Sequence, residues 1–177
     1  GKAISSIYKS SDQYFGFEGI SAIKNGNTQD GISNLQQEVN LHPDNEIAWQ
    51  ELSSAYLNLN QLAQAKDAAD KCIALSPENL TANNNLGMVY LRQNNPSEAI
   101  QAFEYALTLS DRNTYALYYL ALIYQGQNDL NRAVEYAKKA VESNPKFKGA
   151  YQLTADIYTQ MGNPSMAEAY LNAMNNN

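Results

Sequence analysis

A histidine and a cysteine are the side chains of this 177-residue chain best suited to catalysis or metal binding, and each occurs once. His42 precedes Pro43 in a turn, and the nearest carboxylates follow in the same loop, at Asp44 and Glu46. Catalysis or metal binding at His42 would require partner side chains from elsewhere in the chain, because an isolated imidazole is not enough for either. We therefore interpret His42 as a solvent-exposed turn residue.

Cys72 is interpreted as a small buried core residue, because alanines occupy the positions 34 and 68 residues later, Ala106 and Ala140. A reactive thiol needs an accessible, electropositive setting, and a single cysteine excludes an internal disulfide. The sequence contains no phosphate-binding glycine loop, paired zinc spacing or nucleophile motif. It therefore predicts a chain that is not an enzyme and holds no metal or cofactor.

Composition restricts the classes of partner. The net charge is −6 and no basic run occurs. Nucleic-acid binding depends on lysine and arginine that displace counterions from phosphates, so we expect a protein or peptide partner and no nucleic acid. No apolar run approaches the roughly 18–20 residues of a membrane span, so direct membrane insertion is not expected. No targeting segment is visible, but the chain begins at Gly1 without a methionine, which leaves the compartment open.

A 34-residue repeat organises the chain. The stretch 80–113 contains the pattern L-G-x-x-Y followed by A-x-x-x-F-x-x-A. The pattern is carried by Leu86, Gly87, Tyr90, Ala99, Phe103 and Ala106. The same period relates Tyr56, Tyr90, Tyr124 and Tyr158, and also Ala65, Ala99, Ala133 and Ala167. Within one repeat, Trp49, Leu52, Ser53 and Tyr56 are spaced as one face of a helix.

This pattern resembles the tetratricopeptide repeat (TPR) family, in which each repeat folds as two antiparallel helices. The resemblance implies an all-α fold, a TPR solenoid of about five helix–turn–helix repeats in a right-handed superhelix. We predict a single domain, 1–177, with a partial N-terminal helix at 1–11 and repeats at 12–45, 46–79, 80–113, 114–147 and 148–177. Ile4, Ile7 and Tyr8 form the apolar face of 1–11, which is either the end of an earlier repeat or a short cap.

Small residues and turn residues recur at fixed positions of the repeat. We expect the two helices of each repeat to meet at small residues: Gly19, Ser53, Gly87, Ala121 and Ala155 against Gly31, Ala65, Ala99, Ala133 and Ala167. Gly26, Asn60, Asn94, Asn128 and Gly162 are predicted to take the left-handed conformation between the two helices. Asn95-Pro96 and Asn163-Pro164 are typical of an N-cap followed by proline. Repeat one is the most degenerate, since Glu18 and Glu38 occupy positions that are usually apolar or small.

The resemblance also implies partner binding in a concave groove lined by the first helix of each repeat. The corresponding residues are Gln50, Ser54, Asn84, Asn85, Met88, Tyr115, Tyr118, Tyr119, Leu122, Gln152 and Asp156. Amide side chains pair with a peptide backbone and tyrosines supply flat apolar area, so we expect a mostly uncharged extended segment centred on repeats three and four. The alternative is that these residues are ordinary surface and packing positions. Asn85 matches the central asparagine of carboxylate-clamp TPR proteins, but the other clamp positions do not match.

Three functions follow from this resemblance. The first is a non-enzymatic adaptor that binds a partner segment during assembly of a larger complex. The second is a scaffold that self-associates through uncapped ends, at Met166, Tyr170 and Met174, and the third is an accessory domain excised from a larger protein. The spacing is similar to that of bacterial pilus-assembly and cytochrome-maturation helpers and of the magnetosome-associated MamA scaffolds, and Gly19-Ile20-Ser21 resembles the start of the first MamA repeat. Such proteins imply the bacterial cytoplasm or periplasm, without a choice between them.

Overall fold

The computed structural model describes residues 14–176, which form ten helices and no strand. The helices are α1 (Tyr14–Lys24), α2 (Thr28–Leu41), α3 (Glu46–Asn58), α4 (Leu62–Leu75), α5 (Leu80–Arg92), α6 (Pro96–Leu109), α7 (Thr114–Gly126), α8 (Leu130–Ser143), α9 (Lys148–Gln160) and α10 (Pro164–Asn176). Each predicted repeat thus contains two helices, and the predicted all-α class is confirmed. The helix predicted at 1–11, with Ile4, Ile7 and Tyr8, lies outside the described residues.

The chain forms two compact units, 1–94 and 95–177. Unit 1 contains α1 to α5 and unit 2 contains α6 to α10, so the division falls between the two helices of the third predicted repeat. Within each unit every helix packs against the next one along the chain. The first helices of successive repeats also pack against each other, α1 on α3 and α3 on α5 in unit 1, and α7 on α9 in unit 2. The prediction of a single domain over 1–177 stays a prediction.

Small residues mark the close approach between the helices of a repeat. A Cβ atom added to Gly31 would lie 2.8 Å from the Gly19 carbonyl oxygen, and one added to Gly19 would lie 2.6 Å from Leu35 Cγ. Real Cβ atoms do not come this close to other heavy atoms. Neither Gly19 of α1 nor Gly31 of α2 therefore has room for a side chain. The corresponding residues of repeat two, Ser53 and Ala65, are completely buried. The predicted small-residue contact is therefore confirmed in repeat one, and in repeat two both predicted residues lie in the core.

The predicted left-handed turns are also confirmed. Asn60, Asn94 and Asn128 have φ of 56°, 61° and 61°, and Gly26 and Gly162 have φ of 86° and 72°. Asparagine and glycine are the residues that tolerate this conformation at a helix end. Five turns of the same backbone conformation therefore reverse the chain between the two helices of each repeat.

Helix starts follow a second rule that the sequence analysis did not identify. Asn45, Asn79 and Asn113 each precede the first helix of a repeat, and their Oδ1 atoms accept hydrogen bonds from the backbone N–H three residues later, at 3.1, 2.9 and 3.3 Å. This is side-chain N-capping. Of the two asparagines predicted as caps, Asn163 accepts from Met166 N at 3.2 Å, whereas Asn95 occupies the N-cap position without a side-chain bond.

Glu38 explains the degeneracy of repeat one. Its side chain is completely buried, accepts a hydrogen bond from Gly16 N at 3.0 Å, and accepts another from Asn45 Nδ2 at 2.8 Å. A Cβ atom on Gly16 would lie 3.2 Å from Glu38 Cδ, so the glycine provides the space for the carboxylate. Because Asn45 also caps α3, this carboxylate connects the start of α1, the body of α2 and the start of α3.

Glu38→Ala should lower the free energy of unfolding by about 2–4 kcal/mol, because it leaves a cavity, the buried Gly16 N–H and the half-buried Asn45 amide without an acceptor. Glu38→Gln should cost less, since one amide oxygen still accepts. Chemical denaturation followed by circular dichroism measures both. Glu168→Ala, at an exposed position, is the control and should change stability by less than about 0.5 kcal/mol. If Glu38→Ala lost no more stability than this control, the buried carboxylate would not be stabilising unit 1.

Candidate peptide-binding surface

In unit 1 the predicted groove residues mainly hold α3 and α5 together. Asn85 Nδ2 donates to Ser53 Oγ at 3.2 Å and to Ser54 Oγ at 2.9 Å. Asn85 is 8% exposed and Met88 is 5% exposed. A peptide that used the Asn85 amide as a donor would have to replace one of these bonds. These two residues therefore offer little accessible surface.

The remaining amides of unit 1 also have partners. Gln50 Oε1 accepts from Asn79 Nδ2 at 3.0 Å, and Gln50 Nε2 donates to Glu51 Oε1 at 3.3 Å. Gln50, Ser54 and Asn84 are half-buried. This part of the predicted groove is polar and already hydrogen-bonded to itself.

In unit 2 the predicted residues form an aromatic cluster. It consists of Phe103, Tyr115, Tyr118, Tyr119 and Phe147. Tyr115 and Tyr119 lie with ring centroids 4.6 Å apart, and both rings contact the fully buried Phe103 at 6.1 and 5.8 Å. Tyr118 packs edge-on against Tyr119 at 5.3 Å and against Phe147 at 5.0 Å. Such edge-to-face contacts are favourable for aromatic rings, so the cluster fixes the rings of α7 against each other.

A cavity of about 280 Å³ opens beside the exposed part of this cluster. Its lining consists of Thr114, Tyr115, Tyr118, Tyr119, Asn144 and Phe147. None of these six described residues is charged. The hydroxyls of Thr114 and Ser143 lie 2.6 Å apart and hydrogen-bond, which ties the first turn of α7 to the end of α8. The cavity therefore has aromatic walls from α7 and from the start of α9, and α7 is held to the end of α8 beside it.

Phe147 is a wall residue that the sequence analysis missed, although a signal was present. The positions 34, 68 and 102 residues earlier are the capping residues Asn113, Asn79 and Asn45, and Phe147 interrupts this series. It takes the N-cap position of α9 and makes no side-chain capping bond. A Cβ atom on Gly149 would lie 3.0 Å from the Phe147 ring, so the glycine allows the ring to lie over the first turn of α9.

The other predicted residues of unit 2 surround the cluster. Gln152 and Asp156 are exposed on α9, and Gln152 Nε2 donates to Asp156 Oδ1 at 2.9 Å. Leu122 is half-buried on α7. Burial, followed by the neighbouring Tyr119 and Asp156, raises the pKa of the Tyr118 hydroxyl above its usual value. That hydroxyl therefore remains protonated at neutral pH, as a hydrogen-bond donor.

The proposed self-association residues lie on α10. Ala167 is the one buried residue of this helix. Met166 is 36% exposed, and Tyr170 and Met174 are half-buried. The Tyr170 ring stacks on Tyr158 with centroids 5.7 Å apart, so part of this face is already covered within unit 2.

Both candidate chemical residues lie at least partly inside the protein. Cys72 is completely buried, its Sγ lies 3.5 Å from the Glu46 carbonyl oxygen, and burial followed by the Glu46 charge raises its pKa to about 11. The interpretation of Cys72 as a core residue is confirmed. The interpretation of His42 as solvent-exposed is wrong in one respect. The residue follows the end of α2, it is half-buried, and its Nε2 is buried without a hydrogen-bond partner among residues 14–176.

Across residues 14–176 no group of three or more histidine, cysteine, aspartate or glutamate side chains is arranged to hold a metal ion. Within the same range, no helix combines the length and apolarity needed to cross a membrane.

The geometry defines an all-α helical repeat solenoid built from paired helices. The model of the tetratricopeptide repeat matches residues 18–79 and 51–116, which together span more than half of the chain. The chain therefore belongs to the tetratricopeptide repeat family. A model of subunit 3 of the anaphase-promoting complex, or cyclosome, matches residues 92–174.

Several solved structures share this fold. MamA superposes with a TM-score of 0.80 at 21% identity, covering 92% of this chain and 89% of MamA. PilF of Pseudomonas aeruginosa superposes with a TM-score of 0.83 at 19% identity, covering 96% of this chain and 77% of PilF. YrrB, a TPR protein with an unusual peptide-binding site, superposes with a TM-score of 0.73 at 18% identity, covering 98% of this chain and 89% of YrrB. No curated protein sequence matches significantly.

The Cys72 thiol should resist alkylation in the folded protein. At pH 8 we expect N-ethylmaleimide to label it at least about 100-fold more slowly than in guanidinium chloride, because burial blocks access and its raised pKa suppresses the thiolate. The unfolded thiol ionises near pH 9 and the folded thiol near pH 11. The contribution of the Cys72 thiol to the free energy of unfolding is therefore fully present below pH 9 and is lost as the pH rises through 11. Mass spectrometry measures the labelling, and equal rates in both states would contradict the assignment.

Proposed function

We propose that this chain is a non-enzymatic adaptor that binds a mostly uncharged, extended segment of a partner protein during assembly of a larger complex. The aromatic cavity of unit 2 carries this proposal. Three tyrosines of one helix keep part of their rings accessible, although burying them inside the unit would be favourable. Membership of a family of protein-interaction repeats supports it.

Unit 2 supports this function better than unit 1. Its tyrosines supply apolar area together with hydroxyl groups, and Gln152 and Asp156, although hydrogen-bonded to each other, are exposed on the adjacent helix. Tyrosine binds with little loss of side-chain entropy. In unit 1 the amides of Asn85 and Gln50 are already hydrogen-bonded within the chain. We therefore place the main contacts of the partner segment on α7 and α9.

Tyr118→Ala should weaken binding of peptides selected from a random, neutral library by about tenfold or more, since a buried aromatic anchor contributes at least about 1–2 kcal/mol. Fluorescence anisotropy with labelled peptides measures the affinity. Tyr105→Ala is the matched control, because Tyr105 is 44% exposed on α6 and does not line the cavity. Combining Tyr118→Ala with Asn85→Ala tests both units. Unchanged affinity of this double variant would remove the proposed surface.

A second candidate is a self-associating scaffold, in which α10 packs against another copy of the chain. The similarity to MamA structures and the exposed Met166 favour it. Apolar side chains that are left accessible on one helix face are typical of interaction sites.

Under the scaffold hypothesis, the mass measured in solution should rise with protein concentration above the 19.6 kDa of one chain. Met166→Glu should abolish this rise, because burying a charge in an apolar contact is costly. Light scattering over a concentration series measures it. The exposed Glu168→Ala on the same helix serves as control. A constant monomer mass would exclude the scaffold and leave the adaptor.

A further inference from the structure

Phe147 breaks a rule that the other inter-repeat turns obey. Asparagine caps α3, α5 and α7 through its side chain, whereas α9 begins at a phenylalanine without any side-chain cap. Losing such a cap costs about 1 kcal/mol. Positions where a local rule is broken are often functional. Phe147 and Tyr118 also pack on the buried cluster of Leu117, Ala140 and Ala150. This packing offsets part of the lost capping energy, but it does not explain the exposed face of the cavity.

The ring walls form a corner with accessible aromatic faces. Tyr118 lies at 82° to Tyr119 and at 67° to Phe147. Gly149 leaves the space in which the Phe147 ring turns toward Tyr118. The resulting cavity, of about 280 Å³, has room for a ring of the partner segment between these walls.

Charge favours an uncharged occupant. The six described lining residues include no charged one, so an ionised side chain that entered would lose hydration without an ion-pair partner. The surroundings have no dominant sign: the cations Lys146 and Lys148 flank Phe147 in the sequence, and the anion Asp156 influences Tyr118. A neutral ring is thus complementary to the cavity, whereas a carboxylate or an ammonium group is not.

We propose that this cavity binds a proline ring, and that the partner segment is a proline-containing chain in the polyproline II conformation; the proposal rests on the adaptor function above. Aromatic-lined grooves recognise such segments because the polyproline II helix is preformed and loses little entropy on binding. A proline has no backbone N–H and needs only donors from its receptor. The Tyr118 hydroxyl supplies a donor of this kind, and the tyrosine rings supply flat apolar contacts.

The test uses a peptide of nine prolines, with an alanine–glutamine peptide of equal length and charge as control. Amide NMR spectra of isotope-labelled protein should shift for residues of α7 and of the turn 144–149 at about 1 mM peptide, a concentration that half-saturates a site with a Kd in the same range. The control peptide should cause shifts at least about fivefold smaller at these residues.

Phe147→Asn is the decisive variant, because it restores the asparagine of the other turns while removing one wall. We expect the affinity for the nonaproline peptide to fall about fivefold to tenfold, the value of one aromatic contact. The restored cap offsets part of the lost packing, and thermal unfolding verifies that the variant is folded. Tyr115→Ala, at a more exposed wall position, should give a similar loss if Phe147→Asn does not fold.

The outcomes separate the two proposals. Nonaproline shifts at α7 and 144–149 that weaken in the wall variants support the proline site. If library peptides without proline bind in a Tyr118-dependent manner and nonaproline does not bind, the proline site is wrong and the adaptor function stands. If neither kind of peptide binds, both proposals are overturned. Nonaproline binding that is unchanged in both wall variants overturns the assignment of the cavity.

Discussion

The close approach of two helix backbones inside each repeat is the contact on which the other features depend. In repeat one this contact is between two glycines, Gly19 and Gly31, neither of which has room for a side chain. In repeat two the corresponding residues, Ser53 and Ala65, are completely buried. Because the small residues recur every 34 positions, each helix pair can adopt the same geometry. The larger core residues then fill the space beside the contact at the density of a protein interior.

Repeat one reaches the same architecture by a different balance of forces. A buried carboxylate at Glu38 is compatible with the core only because Gly16 leaves it space and two donors satisfy it. Unsatisfied, the same group would be strongly destabilising. The polar residue therefore does not weaken the helical pattern; it connects three helices where apolar residues elsewhere make the contact.

The sequence predicted the helices and turns well because period and turn chemistry depend on a few local rules. The turns at Asn60 and Gly26 could be predicted because asparagine and glycine are the residues that adopt the left-handed conformation at a helix end. The sequence predicted the accessibility of the groove less well, since periodicity places Asn85 on the right helix but does not reveal that Ser53 and Ser54 accept from its amide. Hydrogen-bond partners across helices depend on side-chain rotamers, which a repeat pattern does not specify. The partial burial of His42 was missed because a repeat pattern does not specify the rotamer of a turn residue either.

The difference between the units links these observations to function. In unit 1, Asn85 and Gln50 lie on the predicted binding face but have partners within the chain, so their polar groups contribute to stability. In unit 2, α7 exposes aromatic rings, and α9 begins at Phe147 without the side-chain cap found at α3, α5 and α7. Nearest-neighbour contacts stabilise stacked repeats, and Phe147 contributes to them by packing on the core of unit 2, but such contacts do not require exposed rings on α7. The occurrence of these rings and of Phe147 together, in one turn and the helix it contacts, is the observation on which the proposed binding function rests.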